Sequence, residues 1–149
     1  MINKFLLLKL DDKKGVSAVI IAICLVMLFG FIALAIDIGH LMVARNELQN
    51  AADAGALAGA RELYINNGTA VNEQANQIAY DIATANISEN VAVDVNWTTG
   101  TNGPDVQRGH WSFSTRTFTA NASTAAIDVW NLSTEELDAN TDFINAVKV

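Results

Sequence analysis

From Val16 to Ile36 the chain reads VSAVIIAICLVMLFGFIALAI, 21 residues without a charge. At about 1.5 Å per helical residue such a run spans a hydrocarbon core of about 30 Å. The apolar pattern then changes character. Leu41, Leu48, Ala52, Gly55 and Gly59 recur at helical spacing as one stripe, widened by Ala51, Ala56 and Ala58. Arg45, Glu47, Asp53, Arg61 and Glu62 are spread over the remaining faces. No Pro or turn cluster separates Ile36 from Tyr64, so the pattern predicts one helix reaching the Asn66-Asn67-Gly68 turn signal.

Beyond that turn the period alternates between helix and strand. Val71, Ala75, Ile78, Ile82 and Ala85 fall at helical spacing within residues 70–87 and predict a second, amphipathic helix. Val91, Val93, Val95 and Trp97 alternate with Ala92, Asp94 and Asn96, the period of a strand with one buried face. TTGTNGPD, residues 98–105, closes it with turn formers. Residues 106–120, with Trp111, Phe113 and Phe118 around Ser114-Thr115, suit two short strands joined by a tight turn. Another strand is expected over 127–130 and a last one over 143–149. Between them Ser133-Thr134-Glu135-Glu136 has capping-box spacing for a short helix. The expected fold is α+β: a long N-terminal transmembrane helix continuing into an extracytoplasmic helix, then a small antiparallel-sheet domain. The boundaries read 1–15 for a basic segment, 16–36 for the span, 37–64 for the helix extension and 65–149 for the domain.

Charge sets the orientation. Lys9, Lys13 and Lys14 lie within seven residues of the apolar run, which places the N-terminus in the cytoplasm by the positive-inside rule. Residues 37–149 carry five basic against fourteen acidic side chains, a net charge of −9, which argues against binding nucleic acid. The single cysteine, Cys24, lies mid-span, so no disulfide is expected to staple the exterior.

Candidate chemistry is sparse. His40 and His110 are far apart, with no Cys, Asp or Glu at metal-ligand spacing, and no phosphate loop, nucleophile elbow or paired-carboxylate pattern occurs. A loop shared by Asp105 and His110 is read as a polar contact rather than a catalytic pair. No enzyme, cofactor or metal is expected. Trp97, Trp111 and Trp130 sit in alternating segments and are expected in the core. The small-residue stripe is the informative feature. Gly costs about 1 kcal/mol relative to Ala inside a helix, so two of them imply a contact that offsets the loss. Gly55-x-x-x-Gly59 is the spacing that lets two helix backbones approach more closely than the usual 8 to 10 Å. Leu48, Ala52, Gly55 and Gly59 are therefore the candidate helix-docking residues, against either the chain's own exterior domain or helices of other subunits.

The motifs around that stripe resemble the start of the TadG-like family, associated with tight-adherence (Flp-type) pilus assembly in bacteria. The resemblance rests on Lys13-Lys14-Gly15 before the apolar span, Asp37-Ile38-Gly39 after it, and LQNAADAGALAGA at residues 48–60. Weaker echoes follow in GHWSFSTRTFTAN at 109–121 and NAVKV at 145–149. The resemblance implies a non-enzymatic component of a pilus assembly or secretion system in the bacterial cytoplasmic membrane. Its partners would be the lipid bilayer and other membrane or pilus-assembly proteins, including copies of itself. Lys13-Lys14-Gly15 also resembles a prepilin-peptidase site, with cleavage between Gly15 and Val16, but Ile20 stands where pilin-like substrates carry Glu. Two alternatives stay open: a secreted protein released after Ala35, where Ala33-Leu34-Ala35 has the form of a signal-peptidase site, and a surface binding module built on the tryptophans.

Overall fold

A computed structural model of the chain describes residues 3–100, 102–125 and 127–149, with side chains described from Gly15 onward except Asn67. The side chains of Lys4, Lys9, Lys13 and Lys14, on which the expected orientation rests, lie outside the described set. The chain is α+β. Its residues divide into two compact units, Met1–Val43 and Ala44–Val149.

Helix α1 (Asn3–Arg61) contributes to both units. In the first, every described side chain from Gly15 to Val43 is exposed, including Cys24, Phe29 and Phe31. It is the one helix among the described residues long and apolar enough to cross a membrane.

The second unit begins with the last turns of α1. These lead through β1 (Tyr64–Ile65), a 3-10 turn and β2 (Ala70–Val71) into α2 (Ala75–Thr84). β1 and β2 pair antiparallel, Tyr64 with Val71. The Asn-Asn-Gly turn between them is possible because Asn66 (φ 54) and Gly68 (φ 86) accept the left-handed region, where Asn and Gly are least penalised. β3 (Ile87–Ser88) and β4 (Val91–Ala92) form a minimal hairpin, whose turn residues Glu89 and Asn90 are both at positive φ. Two positive φ values in a two-residue loop match the twist of the strands they join. Glu is a poor occupant of that region, and its backbone N–H is anchored by donation to the Glu47 carboxylate on α1 at 2.9 Å.

The main sheet has order β6-β5-β7, all antiparallel, from β5 (Gln107–Ser112), β6 (Thr117–Ala120) and β7 (Ala146–Lys148). The hairpin expected over 106–120 is present, with Trp111 opposite Phe118 and Arg116 (φ 56) closing the turn. The capping box is also formed: the Ser133 hydroxyl accepts from the Glu136 N–H, the Glu136 carboxylate accepts from the Ser133 N–H, and α3 (Thr134–Ala139) follows. A small core of Leu63, Val71, Ala75 and Ile144, flanked by Tyr64 and Val147, ties β1, β2, α2 and β7 together. Tyr64 reaches across it to donate to the Ile144 carbonyl.

Four expectations need correction. The second helix spans Ala75–Thr84 rather than 70–87, because Ala70 and Val71 are taken into β2 and Asn72 caps the approach by accepting from the Gln74 N–H. The strand over 91–97 shrinks to β4. Val93, Val95 and Trp97 still alternate with exposed Asp94 and Asn96, but the segment is held by Val93 N–H to Asn86 O and by a pair of bonds with Asp105, Asn96 N–H to its carboxylate and its own N–H to the Asn96 carbonyl. Residues 127–130 are not a strand: Asp128 accepts from the Trp130 N–H and the Asn131 side chain, which bends the chain into a turn. That turn carries Trp130 out of the core to 88% exposure. Trp97 and Trp111 are half-buried, Trp97 beside Tyr80 at a ring separation of 5.4 Å.

Candidate functional site

The small-residue stripe of α1 lies against α2. Ala51, Gly55 and Gly59 are buried on α1, and Ala75, Ala79 and Ala83 are buried on α2. A Cβ placed on Gly55 would come within 2.7 Å of the Ala79 carbonyl oxygen and 2.9 Å of the Ala83 Cβ. One on Gly59 would meet the Ala79 Cβ at 2.9 Å, the Val147 Cγ1 at 2.9 Å and the Ala75 carbonyl oxygen at 3.0 Å. Both spaces are thus filled by backbone and methyl groups, and each glycine is required by contact rather than by its own dihedral freedom.

Of the two partners the sequence leaves open for the stripe, the chain's own domain occupies the Gly55 and Gly59 positions. Leu48 is on the same side of the helix but half exposed, at 48%. Ala52 is partly buried and lines an open groove of about 540 Å³ between α1 and the sheet, with Asp53, Ala56, Trp111, Phe118 and Lys148 among its walls. Leu57, on the opposite side of the helix, is 74% exposed. Gly15 and Val16, the candidate peptidase site, are both exposed within α1.

The partner helix was legible but easy to miss. Ala75-x-x-x-Ala79-x-x-x-Ala83 repeats the spacing of the glycines, yet the more hydrophobic Ile78 and Ile82 draw the eye to a different face. The structure leaves Ile82 exposed and turns the alanines inward, because only they allow the approach that the glycines permit.

Polar chemistry lies elsewhere in the unit and is met largely by the chain's own backbone, except that the buried Arg108 Nε has no hydrogen-bond partner among the described residues. Arg108 is buried; its guanidinium donates to the Glu73 carbonyl at 3.2 Å and to the Ala122 carbonyl at 2.6 Å. Burial lowers its pKa from the ordinary guanidinium value, opposed by the charge of Glu73. The Asn102 amide brackets the Arg108 backbone, accepting from its N–H and donating to its carbonyl, both at 2.8 Å. Asp138 gathers the β5–β6 turn, accepting from the Phe113 N–H at 2.6 Å, the Ser114 N–H at 3.1 Å and the Ser112 hydroxyl at 3.0 Å. Hydrogen bonds from Ser114 and then Phe113, against a small desolvation effect, hold its carboxyl down at about 2. Asp105 and His110 do not converge. Asp105 serves Asn96, whereas His110 lies buried in mid-strand between two backbone carbonyls. No group of three or more His, Cys, Asp or Glu placed to hold a metal ion occurs among the described residues.

These features define a helix-borne domain whose one apolar span is exposed and whose extended helix is clamped by a second helix. Residues 15–62 match the model of a family described as putative Flp pilus-assembly TadE/G-like. The matched stretch coincides with the apolar helix and the seam residues of α1, and ends two residues before β1. No curated protein and no solved structure matches the chain.

Proposed function

We propose that this chain is a non-enzymatic, single-span component of a Tad/Flp-type pilus assembly or secretion system. It is anchored in the bacterial cytoplasmic membrane by residues 16–36, with its N-terminus inside and residues 37–149 outside. The observation that carries this reading is the family match over residues 15–62, which falls on an exposed helix of membrane-spanning length and composition. The activity is binding. The lipid bilayer takes the apolar run, and other pilus-assembly subunits, or further copies of this chain, take the part of the α1 stripe that its own domain leaves open. Within the stripe, Leu48 and Ala52 make that outward contact. Gly55 and Gly59 hold the domain to the helix that presents it.

Photocrosslinking in intact cells tests the assignment. A photoreactive residue at Leu48 is expected to trap another subunit or a second copy, whereas the same residue at Leu57, on the far side of α1, is expected to trap little. Equal labelling at both sites, or none at Leu48, would refute the docking face. Sequencing the N-terminus of the membrane-extracted protein checks the anchor: a start at Met1 or Val16 agrees with a retained span, and a start at Ile36 would replace this reading with secretion.

A further inference from the structure

Trp130 is 88% exposed, more than any other large hydrophobic side chain among the described residues. A hydrogen-bonded turn presents it. The Asp128 carboxylate accepts from the Trp130 N–H at 3.2 Å and, through its other oxygen, from the Asn131 side-chain amide. The Val129 N–H donates to the Ile127 carbonyl, and the Asn131 N–H to the Asp128 carbonyl. A turn fixed in this way, carrying a large aromatic ring into solvent, is preorganised for a contact outside the chain.

Ile127, Asp128, Val129 and Trp130 line an open cavity of about 290 Å³ together with Gly68 and Thr69, which follow β1. Donors around it are largely engaged already. The Thr69 hydroxyl and N–H both go to the Asn66 carbonyl, at 2.8 and 3.4 Å, and the N–H groups of Val129 and Trp130 are taken within the turn. What the cavity chiefly offers is therefore a carboxylate and an indole. A carboxylate has about four acceptor positions, and Trp130 and Asn131 fill only part of them. Among the described residues no Lys, Arg or His side chain pairs with Asp128.

We propose that Asp128 and Trp130 form a docking site for an arginine side chain of a basic partner protein. A guanidinium donates at every N–H and accepts nothing, which suits a site rich in acceptors. Its planar face stacks on the indole while its N–H groups reach the open positions of the carboxylate. The charge of the exterior agrees. Residues 37–149 carry five basic side chains against fourteen acidic ones, and Arg108, one of the five, is buried. Such a surface attracts a basic partner and repels an acidic one, a second copy of this chain included. A neutral sugar would also stack on the ring, but its hydroxyl oxygens need donors that the cavity has already engaged. This contact adds a second binding surface to the assembly role and does not depend on Leu48 or Ala52.

The test uses the full chain in detergent micelles and a blocked peptide, acetyl-Gly-Arg-Gly-Arg-Gly-amide, followed by NMR of the indole N–H signals. The signal that is missing from Trp130→Leu is expected to shift saturably, with an affinity that falls severalfold as salt rises from about 0.05 M to about 0.5 M. Asp128→Asn keeps an acceptor for the Trp130 N–H and removes the charge, so the turn persists and the affinity should drop severalfold. The same peptide with citrulline in place of arginine, neutral but alike in shape, should not saturate the shift. Citrulline binding as tight as arginine binding would overturn the proposal, and so would an arginine-peptide affinity left unchanged by Asp128→Asn. A saturable Trp130 shift with chitotriose and none with the arginine peptide would assign the site to a saccharide and sink the proposal as well.

Discussion

A single methyl on Gly55 would meet both the backbone and a side chain of α2. The Ala79 carbonyl oxygen at 2.7 Å is backbone in the middle of a helix and cannot swing aside as a side-chain tip would. Gly55→Ala gains about 1 kcal/mol of helix propensity but overpacks the seam at a typical cost of about 1–3 kcal/mol. With backbone in the way the cost lies at the upper end, so the net expectation is a loss of about 1–2 kcal/mol, read as a lowered thermal midpoint of the membrane-extracted protein. Leu57→Ala, on the exposed side, should change it by less than about 0.5 kcal/mol. An unchanged midpoint for Gly55→Ala would mean that α1 and α2 do not meet as described. This residue also shows how far the sequence could be read. That Gly55 and Gly59 require a close neighbour followed from their helical cost and spacing. Which neighbour did not follow, since small residues on a helix announce proximity without naming the partner.

The elements differ in legibility for physical reasons. Those written in local chemistry were plain: the Ser133 and Glu136 box starts α3, and the 106–120 hairpin follows from alternating apolar residues around a polar turn. Elements decided by tertiary contact were not. Residues 93–97 keep a strand's alternation without a full ladder because the chain satisfies them with Asn86 and Asp105 instead. The β3–β4 turn uses Glu89 where Gly or Asn would be conventional, and a carboxylate from α1, distant in sequence, steadies it. Two predictions belong here. Ser133→Ala should remove the cap of α3 and cost about 1 kcal/mol, seen as faster amide exchange in Thr134–Ala139. Asp138, with its pKa depressed to about 2, contributes stability that is complete above the ordinary carboxylate pKa of about 3.9 and is lost as pH falls through about 2. Asp138→Asn should therefore lower the thermal midpoint at neutral pH and flatten its dependence between about pH 4 and about pH 2. A midpoint as acid-sensitive as the parent's would show that Asp138 is not the group responsible.

For the whole molecule, a long N-terminal apolar helix was legible in composition, because 21 uncharged residues have few other uses. Val26→Arg, near the centre of the run, places a charge worth about 2.5–3.5 kcal/mol against insertion, and should shift the protein toward the carbonate-extractable fraction. Full retention would show that the run is held by something other than lipid. The alanine and glycine seam has a different consequence for how this sequence can vary. A core lined with leucines can drift, trading one bulky group for another as neighbours shift to compensate. Here Gly55 and Gly59 have nothing left to remove, and a methyl added to either collides with the opposite helix. In a saturation library scored for folding, these positions, together with Ala79 and Ala83, should form two facing columns in which every enlargement is depleted. Such columns would trace the contact between α1 and α2 in living cells without a structure determination.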